Sequence, residues 1–367
     1  MKKIVVIVTT LLSLLILTPG ANAATPVVRI VDIPHRNFDG TFRNNELLTS
    51  LTPDGKLGKA LYRGGSTATW VIDAHLLDEV MDMADGYTFE GEEQPLGSSI
   101  ATLWLQQLKN ATIGNPIVAL PYGNPDPSLA RKLAPSEIKF YSQLAARKLE
   151  TFFGRPVISQ NGWSSGKSRL ESQYQGFYRR ERTFLLGLNK VIQNSEITNL
   201  RARLGVTLNP LLGAEERAYF SYSARQAVNK VAAKLKIVSG RYQLTSETSK
   251  VPLTLVNKFD TATTLNLWLT PMNSRVQVQD VTNITIPPRS QIQISVPFTV
   301  IASGSTLVMA QFASIEGDPL GEVSKLNLSL TVIDSRVTWF TTGAAIFLFA
   351  GAIAQSVRRV RRSRNEK

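Results

Sequence analysis

Two aspartates stand where acid–base chemistry would be placed. Asp73 closes the apolar run TATWVID (67–73), and Asp126 follows PIVALPYG (116–123) inside the turn NPDP, so each lies at or just beyond a strand end. In a parallel α/β sheet those ends collect ligands, and Glu171 follows a third strand-like run. Retaining and inverting glycosidases work with two carboxyl groups, one protonated and one ionised. Asp73 and Asp126 are therefore the catalytic candidates of a glycan-acting hydrolase or a deacetylase-like enzyme. The same residues have a plainer use, because an aspartate after a strand caps the next helix. Asp73 precedes AHLLDEV, and Asp126 is held between Pro125 and Pro127.

Around the second candidate gather Tyr122, Asn124, Asn161 and Trp163. Aromatic faces beside amides suit sugar rings, so these four residues with Asp126 are the ligand-binding candidates, with Gln160 beside them. Metal chemistry has little to work with. There are two histidines, His35 and His75, no His-x-x-x-His pair and no cysteine. Asp32, His35, Asp39 and Asp73 are the one set that could converge, and neither a metal nor a cofactor is expected. GWSSGKS (162–168) imitates a phosphate loop, but only three residues separate its glycines where four are needed, so it reads as a turn.

The elements that must position these groups divide near residue 236. Upstream, TATWVID leads into a helix with Leu76, Leu77, Val80, Met81 and Ala84 on one face, stopped by Asp85-Gly86. A helix over 98–110 with a serine cap would bury Ile100, Leu103, Trp104 and Leu108. Another from Ser136 would bury Ile138, Tyr141, Leu144, Leu149 and Phe152 and end at Gly154. RPVISQNG (155–162) reads as a third strand, and later helices are predicted over 177–193 and 215–236. Repeated strand-then-helix units imply an α/β fold with a parallel sheet, as a reduced or incomplete (β/α) barrel-like domain over 24–236. Downstream, Leu253/Leu255, Leu265/Leu267/Leu269 and Leu326/Leu328/Leu330 alternate by twos between turns, which predicts an immunoglobulin-like β-sandwich stalk over 237–335.

Both termini read as membrane signals. Lys2-Lys3, the apolar run 4–17 and Ala21-Asn22-Ala23 make a signal peptide over 1–23. Residues 336–357 read as one transmembrane helix, since the uncharged stretch 337–357 would span roughly 31 Å at about 1.5 Å per residue. The tail 358–367 follows, with Arg358, Arg359, Arg361, Arg362 and Arg364 expected to fix its orientation on the cytoplasmic side. The resulting expectation is a single-pass type I protein of the plasma membrane, in contact with lipid through its last helix and with its body on the extracytoplasmic side. Of the net charge of +13, the leader holds +2 and the tail +5, leaving +6 on the body, which makes nucleic acid an unexpected partner there. Without cysteine the body must be held by its cores alone.

TATWVIDAHLLDEVMDMADGY (67–87), LWLQQLKNATIGNPIVALPYGNPD (103–126), VPLTLVNKFDTATTLNLWLTP (251–271) and the C-terminal stretch with its arginines resemble a family of secreted, membrane-anchored actinobacterial proteins, domain-of-unknown-function family 6049. The resemblance covers nearly the whole mature chain in the same order, without the long inserts of typical members. It implies a cell-envelope protein, often encoded near the lipid II flippase, and it supplies no catalytic residue. It adds a partner class, cell-wall glycan or peptidoglycan-assembly proteins. The expected function is thus a non-catalytic binding or scaffold role, with the two-carboxylate enzyme as the alternative.

Overall fold

The computed structural model describes residues 25–63, 67–159, 163–331 and 335–364. The predicted signal peptide lies outside these. The chain forms two compact units; the first runs to Glu171 and includes Ala202–Phe220, and the second holds Ser172–Arg201 and the rest of the chain from Ser221.

In chain order the first unit contains β1 (Val27–Ile30), α1 (Glu46–Leu51), α2 (Lys56–Tyr62), β2 (Thr69–Asp73), α3 (Ala74–Ala84), a two-residue hairpin of β3 (Thr88–Phe89) and β4 (Glu92–Glu93), α4 (Pro95–Ala111), β5 (Ile117–Leu120), α5 (Pro127–Leu133) and α6 (Pro135–Phe153). Strands β1, β2 and β5 lie side by side in that order, all parallel, with Val28 opposite Trp70 and Val71 opposite Val118. Ile158 adds a single parallel bridge to Val118, donating to the Ile117 carbonyl and accepting from the Ala119 N–H. β5 is buried along its whole length, and β2 at every residue after the first, because both faces are covered. Trp70, Ile72, Leu76, Trp104 and Tyr141 centre the larger core; Val31, Val71, Val118 and Leu120 form a smaller one against Trp163 and Leu211.

Local signals set several helix ends. Asp73 caps α3, Pro135 opens α6, and Gly154 closes α6 at φ +66° with its N–H on the Glu150 carbonyl. The predicted start of α4 is wrong: the helix begins at Pro95, and Ser98 lies inside it, its hydroxyl donating to the Gln94 carbonyl. Leu103, expected inward, is 58% exposed, because the face that α4 buries runs through Gly97, Ala101, Trp104 and Leu108 and leaves Leu103 to one side.

The second unit adds α7 (Ser172–Val191), α8 (Ser195–Arg203, which ends just inside the first unit's second segment), the later part of α9 (Ala214–Ala232), β6 (Leu235–Ile237), β7 (Gly240–Leu244), β8 (Thr248–Asn257), β9 (Thr263–Pro271), β10 (Val276–Val278), β11 (Val281–Ile286), β12 (Ser290–Val300), β13 (Gly304–Ala313), β14 (Pro319–Leu330) and α10 (Ser335–Arg364). Its strands form the two sheets of an immunoglobulin-like sandwich, ordered β10-β12-β8-β6 and β11-β9-β13-β14-β7. Pairing is antiparallel except for β14 with β7, and Leu253, Leu255, Leu265, Leu267, Phe298 and Phe312 fill the interior.

Two expectations are corrected. The fold is mixed helix and sheet, with a three-stranded parallel sheet too small to close into a (β/α) barrel, accompanied by the sandwich sheets. The predicted transmembrane helix is also overturned: among the described residues no helix is long and apolar enough to cross a membrane. The side chains described in α10 run from Thr342 to Arg359, and Gln355, Ser356, Arg358 and Arg359 dilute the apolar stretch there. The plasma-membrane placement and the orienting role of the five arginines rested on that span and fall with it. Arg358 and Arg359 lie exposed on the helix; the side chains of Arg361, Arg362 and Arg364 lie outside the described residues.

Candidate functional site

Because β1, β2 and β5 are parallel, the residues after them emerge at one end of the sheet. There Asp32, Asp73 and Tyr122 meet His35, His75, Asp78 and Glu79, the last three supplied by the first turns of α3. Glu79 is the hub. Its Oε1 accepts from the backbone N–H groups of His35 (3.0 Å) and Arg36 (2.9 Å), and it lies 3.9 Å from His75 Nδ1. His35 Nε2 stands 3.7 Å from Asp32 Oδ2, too far for a hydrogen bond, so both ring nitrogens are buried without one. Asp32 also receives Ser50 Oγ (2.9 Å) and Lys56 Nζ (2.7 Å).

A second branch runs through Tyr122. Its hydroxyl donates to Asp78 Oδ2 (2.7 Å), Lys148 Nζ lies 2.9 Å from the same oxygen, and the His75 ring meets the Tyr122 ring edge-on at 5.3 Å. Arg203 donates to the carbonyls of Asn37 and Phe38, and Arg36 pairs with Asp82.

Asp73 is 2% exposed, and its Oδ1 accepts the N–H groups of His75 (2.9 Å) and Gly123 (3.1 Å). Burial pushes its carboxyl up to about 7 against the lowering effect of those two N–H groups. Burial raises Glu79 as well, outweighing the nearby His35. Burial alone would lower His35, but the Asp32 and Glu79 carboxylates reverse that and raise it. Burial raises Asp32 too, yet His35, Lys56 and Ser50 hold it well below the usual carboxylate range. Burial, with Arg203 and Arg36 nearby, holds His75 neutral far below its ordinary value, and burial with Asp78 lifts the Tyr122 hydroxyl.

Asp126 is occupied differently. It caps α5, with Oδ1 accepting from Ser128 N–H (2.8 Å) and Leu129 N–H (3.3 Å), while Oδ2 takes Ser168 N–H (2.8 Å). The imitation phosphate loop thus binds the protein's own carboxylate. Gly123 (φ +78°) and Asn124 (φ +50°) turn the chain between Tyr122 and Asp126, and Asn124 Nδ2 approaches Asn209 Oδ1 at 3.5 Å. Trp163 packs on the smaller core with the Arg29 guanidinium 5.8 Å above its ring. Asn161 lies outside the described residues.

Of the sequence candidates, then, the structure joins Asp73 and Tyr122 to one buried network, and gives Asp126 to a separate cap. Sequence reading missed Asp78, Glu79, Lys148, Arg36 and Arg203. Glu79 left one trace, a carboxylate interrupting the apolar stripe of α3 between Leu76 and Met83. Arg203 left none, since folding alone brings it near residues 37–38. Among the described residues no group of three or more His, Asp or Glu side chains is placed to hold a metal ion.

The profile of a family of unknown function, DUF6049, matches residues 187–365, which supports the family resemblance over that range. None of the curated proteins matches the chain. Among solved structures, WR4 of C. elegans, a member of the MSP family, shares 12% identity over 26% of this chain and 97% of its own, with a TM-score of 0.21. The native form of E. coli alpha-2-macroglobulin shares 16% over 26% of this chain and 6% of its own, also at 0.21. The ASH/PapD-like domain of human CEP192 shares 12% over 28% of this chain and 87% of its own, again at 0.21. At such scores these likenesses carry no argument about function.

Proposed function

We propose that the protein is a non-catalytic binding or scaffold protein for cell-wall glycan or envelope assembly partners. The observation that carries the non-catalytic part is the use made of the two strand-end carboxylates. Asp126 spends both oxygens on backbone N–H groups, and Asp73 is buried with Oδ1 accepting two more. A general acid or base must reach the substrate's proton, and neither group is free to do so. The partner class comes from the family resemblance and from the net charge of +13, which suits anionic envelope polymers. Co-sedimentation of the purified chain with peptidoglycan, together with capture of envelope proteins on the immobilised chain, tests this reading. Retention on at least one supports it, and loss of both overturns it.

One observation favours a glycan-acting enzyme instead. A carboxyl raised to about 7 is the state a general acid needs near neutrality. That reading requires release of reducing ends or acetate from purified glycan, abolished by Asp73→Asn. Absence of turnover leaves the raised acid as a consequence of burial.

A further inference from the structure

The outer face of the five-stranded sheet carries a groove of about 780 Å³ that the strand register builds row by row. Ser305 on β13 faces Ser329 on β14, which faces Gln243 on β7; in the next row Leu307 faces Asn327, which faces Arg241. Alternation along each strand turns these six side chains outward, while Val308, Leu326 and Leu330 go to the core. The two serines are the shortest of the set and form a floor. Arg241 and Gln243 rise on one side of it, and Met272 and Asn273 on the other, where the Met272 N–H is fixed to the Leu307 carbonyl at 2.9 Å.

The chemistry of the walls is one-sided. No acidic side chain lines the groove, and Arg241 is exposed with no ion-pair partner among the described residues. A second guanidinium, Arg275, lies over Gly304 at the start of β13, where any Cβ would strike it. Asn273 is held in its turn by accepting the Arg275 N–H (3.1 Å), which leaves its amide N–H₂ for other use. Amides and hydroxyls offer donors and acceptors in pairs, as sugar hydroxyls require, and guanidinium matches carboxylate geometry.

We propose that this groove binds a glycan bearing carboxylate groups, the carboxylate meeting Arg241 and the ring hydroxyls meeting Gln243, Asn327 and the serine floor. The proposal rests on the binding reading above and narrows it to one site and one ligand class. The test uses the full chain and three labelled probes: an oligogalacturonate, a neutral N-acetylglucosamine oligomer and a glutamate oligopeptide. The oligogalacturonate is expected to bind in a salt-sensitive way. Arg241→Glu and Ser329→Trp should each weaken it about tenfold or more, while Lys132→Glu, an exposed position on α5 in the other unit, leaves it unchanged. Unfolding midpoints of both groove variants should match the parent, since both positions are on the surface. Failure of the oligogalacturonate to bind, binding by the groove variants as tight as by the parent, or binding of the neutral oligomer or the glutamate peptide at least as tight as that of the oligogalacturonate overturns the proposal. Should peptidoglycan or a captured protein still bind in that event, the broader binding function stands without this groove.

Discussion

In the parallel-sheet unit, Glu79 lies buried against two backbone N–H groups with two histidines nearby, whereas the sandwich keeps ion pairs such as Lys190 with Glu316 and Asp318, or Arg289 with Asp260, at its surface. The sandwich's principal buried polar side chain is a neutral amide. Asn257 donates to the carbonyls of Thr261, Ile286 and Pro287 and accepts the Phe259 N–H, stitching one corner of the fold. The difference follows from sheet geometry. Antiparallel strands alternate, so charge is sent outward residue by residue. Parallel strands buried on both faces have no outward side, and polar residues arriving after their ends are drawn together and enclosed.

The comparison can be broken at the points where each unit is said to depend on different forces. The largest loss is expected from Phe298→Ala in the sandwich interior, about 3–5 kcal/mol by denaturant unfolding, because apolar packing is what that unit relies on. Glu79→Ala should cost about 3 kcal/mol in the same measurement, since the backbone N–H groups of His35 and Arg36 lose their acceptor. A loss under about 1 kcal/mol would mean that water replaces the carboxylate without penalty. Gly123→Ala should cost about 1–3 kcal/mol, because φ is +78° and the new Cβ would press on the Val206 N–H.

A subtler effect is a pH dependence. The folded Asp73 keeps its proton to about 7, while the unfolded chain releases it near 3.8, so the native state binds more protons between those values. Its contribution is complete below pH 3.8 and is lost as pH rises to about 7. Asp73→Asn, which still offers an oxygen to His75 and Gly123, should flatten that decline in urea midpoints measured from pH 4 to 8. An unchanged slope would assign the decline to Glu79 and His35, whose raised values act in the same direction. The smallest effect belongs to Lys190→Ala, whose exposed pair should leave the midpoint unchanged.

How much could be read in advance varied with the range of the interaction. Asp73 as a cap, Gly86 after α3, Pro135 and Gly154 at the ends of α6, and the period-two leucines of β8, β9 and β14 all act within a few residues, and their meaning survives without a fold. The start of α4 is ambiguous locally, because Ser98 and Pro95 are both start signals, and the helix takes the earlier one with Pro95 in its first turn. The C-terminal stretch differs for another reason: its uncharged run suggests a span, while the described part of α10 is diluted by Gln355, Ser356 and two arginines.

The candidate site shows the same division. Sequence alone determined that Asp73 and Tyr122 would stand at the ends of neighbouring strands, because strand ends and turn residues are local facts. Only the tertiary structure decided that Tyr122 meets Asp78, that Glu79 holds the backbone of residues 35–36, and that Asp126 is spent on Ser168. Those contacts join segments far apart in the chain, and their partners are chosen by which elements can bury their apolar faces together. No local pattern encodes that choice.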